Sequence, residues 1–241
     1  AGSRAASSHT GAMTSDARVF DAVCAQAGVV KVEQSMDLLD LAASFSSVPP
    51  PKGPRVAVMT LGGGWGVITA DLCAQHGLEV SALSPELIER FNEILPPYWS
   101  HANPVDLVGE PENSLMTRVM DELVAWDGCD ALINLGIMGR SLYFMRMAEA
   151  IERADPAYDR DFLEKSVKYM HVFEQDYLKL IARLMDTYQK PIYGVSILTD
   201  AKSRTVYTVE GHTHKPVFYQ SPERAVKACA RMYEYHRFVS S

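Results

Sequence analysis

Arg55-Val56-Ala57-Val58-Met59-Thr60-Leu61 runs straight into Gly62-Gly63-Gly64-Trp65-Gly66, and a helical pattern follows to Gln75. An apolar, β-branched run that turns through glycines into a helix reads as a strand-to-helix unit. The pattern then repeats. Gly77 ends the helix and 78–83 reads as a strand. Ser84 caps and Pro85 begins a helix to about residue 94, with Glu86 in its first turn. A helix is predicted over 112–125 and a buried strand over 129–135. Residues 141–189 read as two helices broken near Asp155-Pro156. Residues 191–198 read as a strand, Val217-Phe218-Tyr219 as a short one, and Ser221-Pro222-Glu223 starts a last helix to about 238. Apolar strands alternating with helices predict an α/β fold, a parallel sheet covered on both faces. Such sheets bind ligands beyond the C-terminal ends of their strands, where the glycine run lies.

Before this unit the pattern differs. Asp16 to Gln26 carries a helical stripe at positions 19, 20, 23 and 24, stopped by Gly28. Val29-Val30-Lys31-Val32 reads as a short strand. Ser35 is placed to cap a helix over 36–45. Val48-Pro49-Pro50-Pro51-Lys52-Gly53-Pro54 fits neither helix nor central strand and reads as a stiff linker. The domains are therefore drawn as 1–47, a linker at 48–54, and 55–241. The first is the partial α/β piece.

The hydrophobic content of 47% supports a packed core. A net charge of −7 with no basic block argues against nucleic acid or an anionic membrane as partner. No apolar run reaches the roughly 20 residues of a membrane span. Cys24, Cys73, Cys129 and Cys229 are scattered without a CxxC pair, which reads as reduced thiols of a cytoplasmic protein.

Two features suggest chemistry. His9 stands in a loop of small and hydroxylated residues, Ser7-Ser8-His9-Thr10-Gly11. Neutral imidazole is a good nucleophile near pH 7, and Ser8, Thr10 and Gly11 suit phosphate oxygens. Gly62, Gly63, Gly64 and Gly66 give consecutive N–H groups at a helix start, where the macrodipole favours an anion. A tight turn needing glycines for its backbone explains part of that run equally well. There is no Gly-Lys-[Ser/Thr] ending and no GxGxxG, so neither a Walker loop nor a dinucleotide site is read here. Asn103-Pro104-Val105-Asp106 reads first as a loop device, with Asn103 and Asp106 as candidates to shape the site beside the glycines. Trp65 is a candidate to narrow or cover it. Arg140 lies near the same sheet edge, and an ordinary surface arginine is the simpler reading. His212-Thr213-His214 reads as surface histidines, and no metal site is assigned.

Arg4-Ala5-Ala6-Ser7-Ser8-His9-Thr10-Gly11, Gln26-Ala27-Gly28-Val29, the proline segment, Gly62-Gly63-Gly64-Trp65-Gly66-Val67, Asn103-Pro104-Val105-Asp106-Leu107 and Ser221-Pro222-Glu223-Arg224-Ala225-Val226 occur in an order that resembles the NDP-forming acyl-CoA synthetases, relatives of succinyl-CoA synthetase. The resemblance covers nearly the whole chain and is weakest over 141–215; it implies that 1–47 is the C-terminal part of a flavodoxin-like domain carrying the phosphohistidine loop and that 55–241 is a second flavodoxin-like domain, a flavodoxin-like parallel sheet with helices on both faces. It implies a reversible conversion of acid, CoA and ATP into acyl-CoA, ADP and phosphate. His9 would carry the phosphoryl group, and Ser8, Thr10, Gly11 and the glycine run would bind it. It also implies a partner: CoA-binding and ATP-grasp domains, or a subunit, that bind CoA, nucleotide and Mg. An oligomer is expected. Trp65 departs from the proline common at its position.

The chain opens without Met inside the histidine loop, so it reads as a piece of a longer protein, inactive by itself. A second reading stays open: a non-catalytic interaction or regulatory module of the same fold, docking onto a partner subunit. A third is a stand-alone binder of a small anion or flavin. The missing Ser/Thr-rich phosphate loop argues against flavin.

Overall fold

The computed structural model describes residues 16–108, 112–155 and 157–241. The elements run α1 (Ala17–Gln26), α2 (Ser35–Phe45), β1 (Arg55–Thr60), α3 (Gly63–Gln75), β2 (Glu79–Val80), α4 (Pro85–Ile94), β3 (Val105–Asp106), α5 (Asn113–Ala125), β4 (Ala131–Leu135), α6 (Arg140–Ala154), α7 (Arg160–Tyr188), β5 (Ile192–Val195), β6 (Val217–Tyr219) and α8 (Pro222–Ser240). The six strands form one parallel sheet, ordered β2-β1-β4-β5-β6, with β3 also on β1. Apart from the extra β3, this is the flavodoxin-type order.

Local chemistry explains several helix starts. The Asp16 side chain accepts from the Arg18 N–H and caps α1. Ser84 accepts from the Leu87 N–H, with Pro85 opening α4 as predicted. Ser35 is not a cap, because it is already the first residue of α2, behind Gln34, which forms no side-chain cap. The N-cap of α6, Gly139, has no side chain to offer. The first turn of this helix is capped from α7 instead: Glu174 accepts from the Ser141 N–H at 3.0 Å and from the Ser141 hydroxyl.

Two predicted strands shrink. Residues 29–32 form no strand, because no neighbouring strand meets them among the described residues. The predicted 78–83 strand pairs only at Glu79 and Val80. The reason lies across the sheet. β1 meets β2 at Arg55 and Val56, and meets β3 at Met59 and Thr60, on the same edge. Between the two short strands the Asn103 side chain takes the place of a ladder. Its Oδ1 accepts from the Val58 N–H, and its Nδ2 donates to the Val56 and Ser81 carbonyls, each at 2.9 Å. The Asn103–Pro104 peptide is cis.

β1 and β4 are buried almost end to end, as strands covered on both faces must be. α3 and α8 cover one face; α5 and α7 cover the other. α2 packs on the outside of α8 through polar as well as apolar contacts. Asp40, only 3% exposed, receives Arg224 Nε and Nη2 at 2.7 and 2.5 Å. The Tyr219 hydroxyl donates to the Asp40 carbonyl and stands 2.6 Å from Ser44 Oγ. Burial pushes the Tyr219 phenol well up, so it stays a hydrogen-bond donor. Ser47, Val48, Pro49 and Pro51 are buried, so the proline segment lies packed on the body, and the Ser47 carbonyl accepts from the Lys215 N–H.

His212 and His214 meet on one carboxylate. Asp186, near the end of α7, accepts from His212 Nδ1 at 2.8 Å, His214 Nδ1 at 2.7 Å, and the N–H groups of Thr213 and His214. Partial burial pushes the Asp186 carboxyl up, but the bonds from His212, His214 and Thr213 outweigh it and bring it down to about 2. A carboxyl lowered by folding stabilises the fold above its unfolded value. That contribution is fully present above about pH 4 and is lost as pH falls towards 2. Thermal melts from pH 6 to pH 2 should therefore show a smaller acid-side loss in Asp186→Ala than in wild type. Equal slopes would remove the clamp from the stability of this loop.

Asn103→Asp keeps shape and the acceptor but loses both donors. It sets a negative charge against two carbonyls, so urea unfolding should show a loss of about 2 kcal/mol or more. A change within about 0.5 kcal/mol would mean that the amide does not hold this edge.

Candidate anion site at the strand ends

The site is set by Thr60, the last residue of β1 and 1% exposed. Its hydroxyl donates to the Gly62 carbonyl at 2.9 Å and accepts from the Gly62 N–H at 3.1 Å. The strand-to-helix turn is thereby tied by one buried side chain. Gly62 is the N-cap of α3, without a side-chain cap and with no acidic residue in the first turn. Among the described residues, no acceptor meets the N–H groups of Gly63 and Gly64. These are two of the unbonded donors that every helix start leaves, at the positive end of the macrodipole.

The four glycines divide by cause. A Cβ at Gly66 would come within 3.1 Å of both Pro104 and Thr60, and one at Gly63 within 2.7 Å of Asp106 Oδ2. Close packing therefore requires those two. Gly62 and Gly64 have nothing within 4 Å of a built Cβ, and neither has a positive φ. Neither chain geometry nor packing asks for glycine there. What glycine leaves at both is open approach to the backbone.

The turn opens into a crevice of about 430 Å³, bordered by Thr60, Leu61, the three glycines 62–64, Trp65, Leu135, Gly136 and Ile197. It lies between the ends of β1 and β4, the point where connections leave to opposite sides of the sheet. Among the described residues, no ionisable side chain lines it. Asp106 stands behind Gly63, with Oδ1 accepting from the Val108 N–H at 2.8 Å. Trp65, partly buried, forms one wall, and Asn103 holds the strand behind. His9, Ser8, Thr10 and Gly11 lie outside the described residues.

Arg140 does not line the crevice. It turns towards α5 and α7, with Nη1 donating to Asn113 Oδ1 at 3.3 Å and the guanidinium over the Phe173 ring. Burial pushes its pKa down from the usual arginine value. The buried thiols are poor nucleophiles: burial raises Cys73 to about 12 and Cys129 to about 11. Among the described residues, no group of three or more His, Cys, Asp or Glu side chains is placed to hold a metal. No described helix is long and apolar enough to cross a membrane.

The sequence pattern does not mark Leu61, Leu135, Gly136 and Ile197 as site residues. One signal for them was available in Leu135-Gly136, a glycine directly after a buried strand, here with φ +80°.

Residues 1–45 match the succinyl-CoA ligase-like flavodoxin domain, and 56–134 match the ligase-CoA domain. The α subunit of acetate–CoA ligase [ADP-forming] II from Pyrococcus furiosus is 36% identical over 57% of this chain and 30% of its own length. The α subunit of acetate–CoA ligase [ADP-forming] I from the same organism is 26% identical over 98% of this chain and 45% of its own. The chain thus spans less than half the length of these relatives. A solved acetyl-coenzyme A synthetase from Ca. Korarchaeum cryptofilum, in complex with phosphate and ADP, has the same fold. Its TM-score is 0.71 at 23% identity, over 99% of this chain and 45% of that one. By its two matched domains and these relatives, the chain belongs to the NDP-forming acyl-CoA synthetase family.

Proposed function

We propose that this chain is the phosphoryl-relay part of an NDP-forming acyl-CoA synthetase. His9 receives a phosphoryl group at one site and yields it at another, and the start of α3 is the anion cradle at one end of that transfer. The observation that carries this reading is the pair Gly62 and Gly64, glycines that no contact among the described residues requires, beside the N–H groups of Gly63 and Gly64, which meet no acceptor among those residues. Backbone donors fixed before the reaction stabilise charge on phosphate oxygens without reorganising.

In the direction of ATP synthesis, the imidazole nitrogen of His9 attacks phosphorus in an acyl phosphate. The P–O bond to the acyl group breaks and the acid leaves. The phosphoryl group then passes to a nucleoside diphosphate. CoA, ATP or ADP, and Mg are bound by CoA-binding and ATP-grasp domains or a partner subunit, in an oligomeric and cytoplasmic enzyme. The four free cysteines agree with a reducing compartment. The described residues fit a phosphate-sized anion and offer no cluster for Mg, so no step here runs through the metal. A docking module of the same fold is the other reading. The uncovered glycine backbone favours the relay, because docking gives Gly62 and Gly64 no reason to stay bare.

The test uses the enzyme together with its nucleotide-binding domain or subunit and labelled ATP. Acid-labile, base-stable label should appear in wild type and vanish in His9→Ala. Gly64→Ala should fold as well or better, gaining up to about 1 kcal/mol from the exchange of glycine for alanine within a helix. It should still slow labelling at least ten-fold, because the methyl group crowds the cradle. No label in wild type, with nucleotide still bound, would favour the docking module.

A further inference from the structure

We propose that the cavity between α6, α7 and the chain after β5 is a second small-molecule site, and that it takes an organic ammonium with an apolar body. It is separate from the crevice at the glycine run. Ser196 and Leu198 border the cavity, and Ile197 between them borders the crevice.

Glu174 carries the argument. It borders the cavity and is only 7% exposed. Among the described residues it forms no ion pair. Ser141 gives it two donors, the N–H and the hydroxyl. A carboxylate has room for about four. Arg140 has its Nη1 on Asn113 and its guanidinium over Phe173. Capping Ser141 asks only for an acceptor, and a glutamine would serve. The charge is left over, and a buried charge without a partner is costly. The cavity is where a cation can meet it.

Ser196 is the second observation. It is 8% exposed, and its N–H is bound to the Tyr219 carbonyl. Its hydroxyl has no hydrogen-bond partner among the described residues. The hydroxyls of Ser81 and Tyr193 also lack partners, but they are sealed in the interior. Ser196 opens on the same cavity as Glu174.

The rest of the border narrows the ligand class. Asp200 and Lys202 are its other fixed charges, so carboxylates outnumber ammonium groups. Asp200 Oδ1 is taken by the turn it caps, accepting from the N–H groups of Lys202 and Ser203 and from the Ser203 hydroxyl. His171 is engaged with Gln175. A metal ion fits poorly, because a hard cation wants about six oxygen ligands and no such cluster is present among the described residues. An ammonium brings three N–H donors. Met138, Leu142, Met145, Val167, Leu178 and Leu198 suit a hydrocarbon body. The volume of about 520 Å³ is that of a small-molecule site. One side is already fixed, since the Ile197 N–H donates to the Met138 carbonyl at 2.8 Å.

The experiment titrates the full chain with 2-phenylethylammonium, 2-phenylethanol, 3-phenylpropanoate and methylammonium by calorimetry at pH 7. Wild type should bind 2-phenylethylammonium saturably at one site. The alcohol lacks the charge and should bind about ten-fold more weakly or worse. The anion and the bodiless methylammonium should bind more weakly still. Glu174→Gln keeps an acceptor for Ser141, and should weaken the ammonium about ten-fold or more while leaving the alcohol unchanged. Met145→Trp, at an exposed position on α6, narrows the cavity and should weaken ammonium and alcohol alike. Thermal melts check that each variant is folded. If Glu174→Gln melts early, Met145→Trp still locates the site. Three results would overturn the proposal: no saturable binding in wild type, equal binding of alcohol and ammonium, or binding that a folded Glu174→Gln or Met145→Trp leaves unchanged. The last would mean that the cation sits elsewhere on an acidic surface. Phosphoryl transfer plays no part in the readout, so failure here leaves the relay reading standing, and failure of His9 labelling leaves this one.

Discussion

The Asn103 carboxamide is the interaction on which this architecture rests. A central strand needs partners along both edges, and on one edge β1 has only two residues of β2 and two of β3. The amide fills the gap with one acceptor and two donors, the combination that a strand edge demands and that no carboxylate or hydroxyl supplies. Once Asn103 is seated, the next residues follow. Pro104 packs on Gly66, and Asp106 comes up against Gly63. The first turn of α3 is thus pressed from behind by the same segment that completes the sheet. The candidate cradle and the fold share one set of contacts.

Much of the fold could be read along the chain because it rests on near neighbours. Ser84-Pro85 opens α4 through a bond three residues away. The break between α6 and α7 falls where Asp155-Pro156 placed it. What could not be read depends on distant pairing. The β-branched run 29–32 has strand composition but finds no strand beside it among the described residues. The 78–83 run pairs for two residues because Asn103, a score of positions later, occupies the rest of the edge. The glycine run drew notice from its composition. Sorting Gly63 and Gly66, which packing requires, from Gly62 and Gly64, which it does not, needed the positions of Pro104 and Asp106. The apolar walls stayed hidden because Leu61, Leu135 and Ile197 look like ordinary ends of buried strands.

The N-terminal helices show how polar contacts fix an orientation that apolar contacts leave loose. α2 exposes Met36, Leu38, Leu39 and Phe45, and α1 exposes Val19, Phe20 and Val23. Such surfaces slide easily, because hydrophobic contact has no direction. The fork of Arg224 on Asp40 has a direction, and the Ser44–Tyr219–Asp40 chain repeats it one turn along. Removing either partner of the pair would leave a charge in a largely closed place, a greater loss than the pair's own net gain. These contacts set the angle at which α2 meets α8.

A relay that runs in both directions puts a limit on how tightly its cradle holds phosphate. A lysine or arginine clamp would stabilise the bound anion through full charges, and every bit of that stability would have to be surrendered at release. Two backbone N–H groups and a helix end act as partial charges, about half a unit at the terminus. They are held by Thr60 from below rather than by flexible side chains, so little order is lost on binding. The Arg140 guanidinium is turned onto Asn113 and Phe173, and the Asp106 carboxylate stands behind Gly63. On the relay reading, a cradle built from backbone alone is what lets one site accept and release the same phosphoryl group. That no charged side chain among the described residues lines the crevice then belongs to the mechanism.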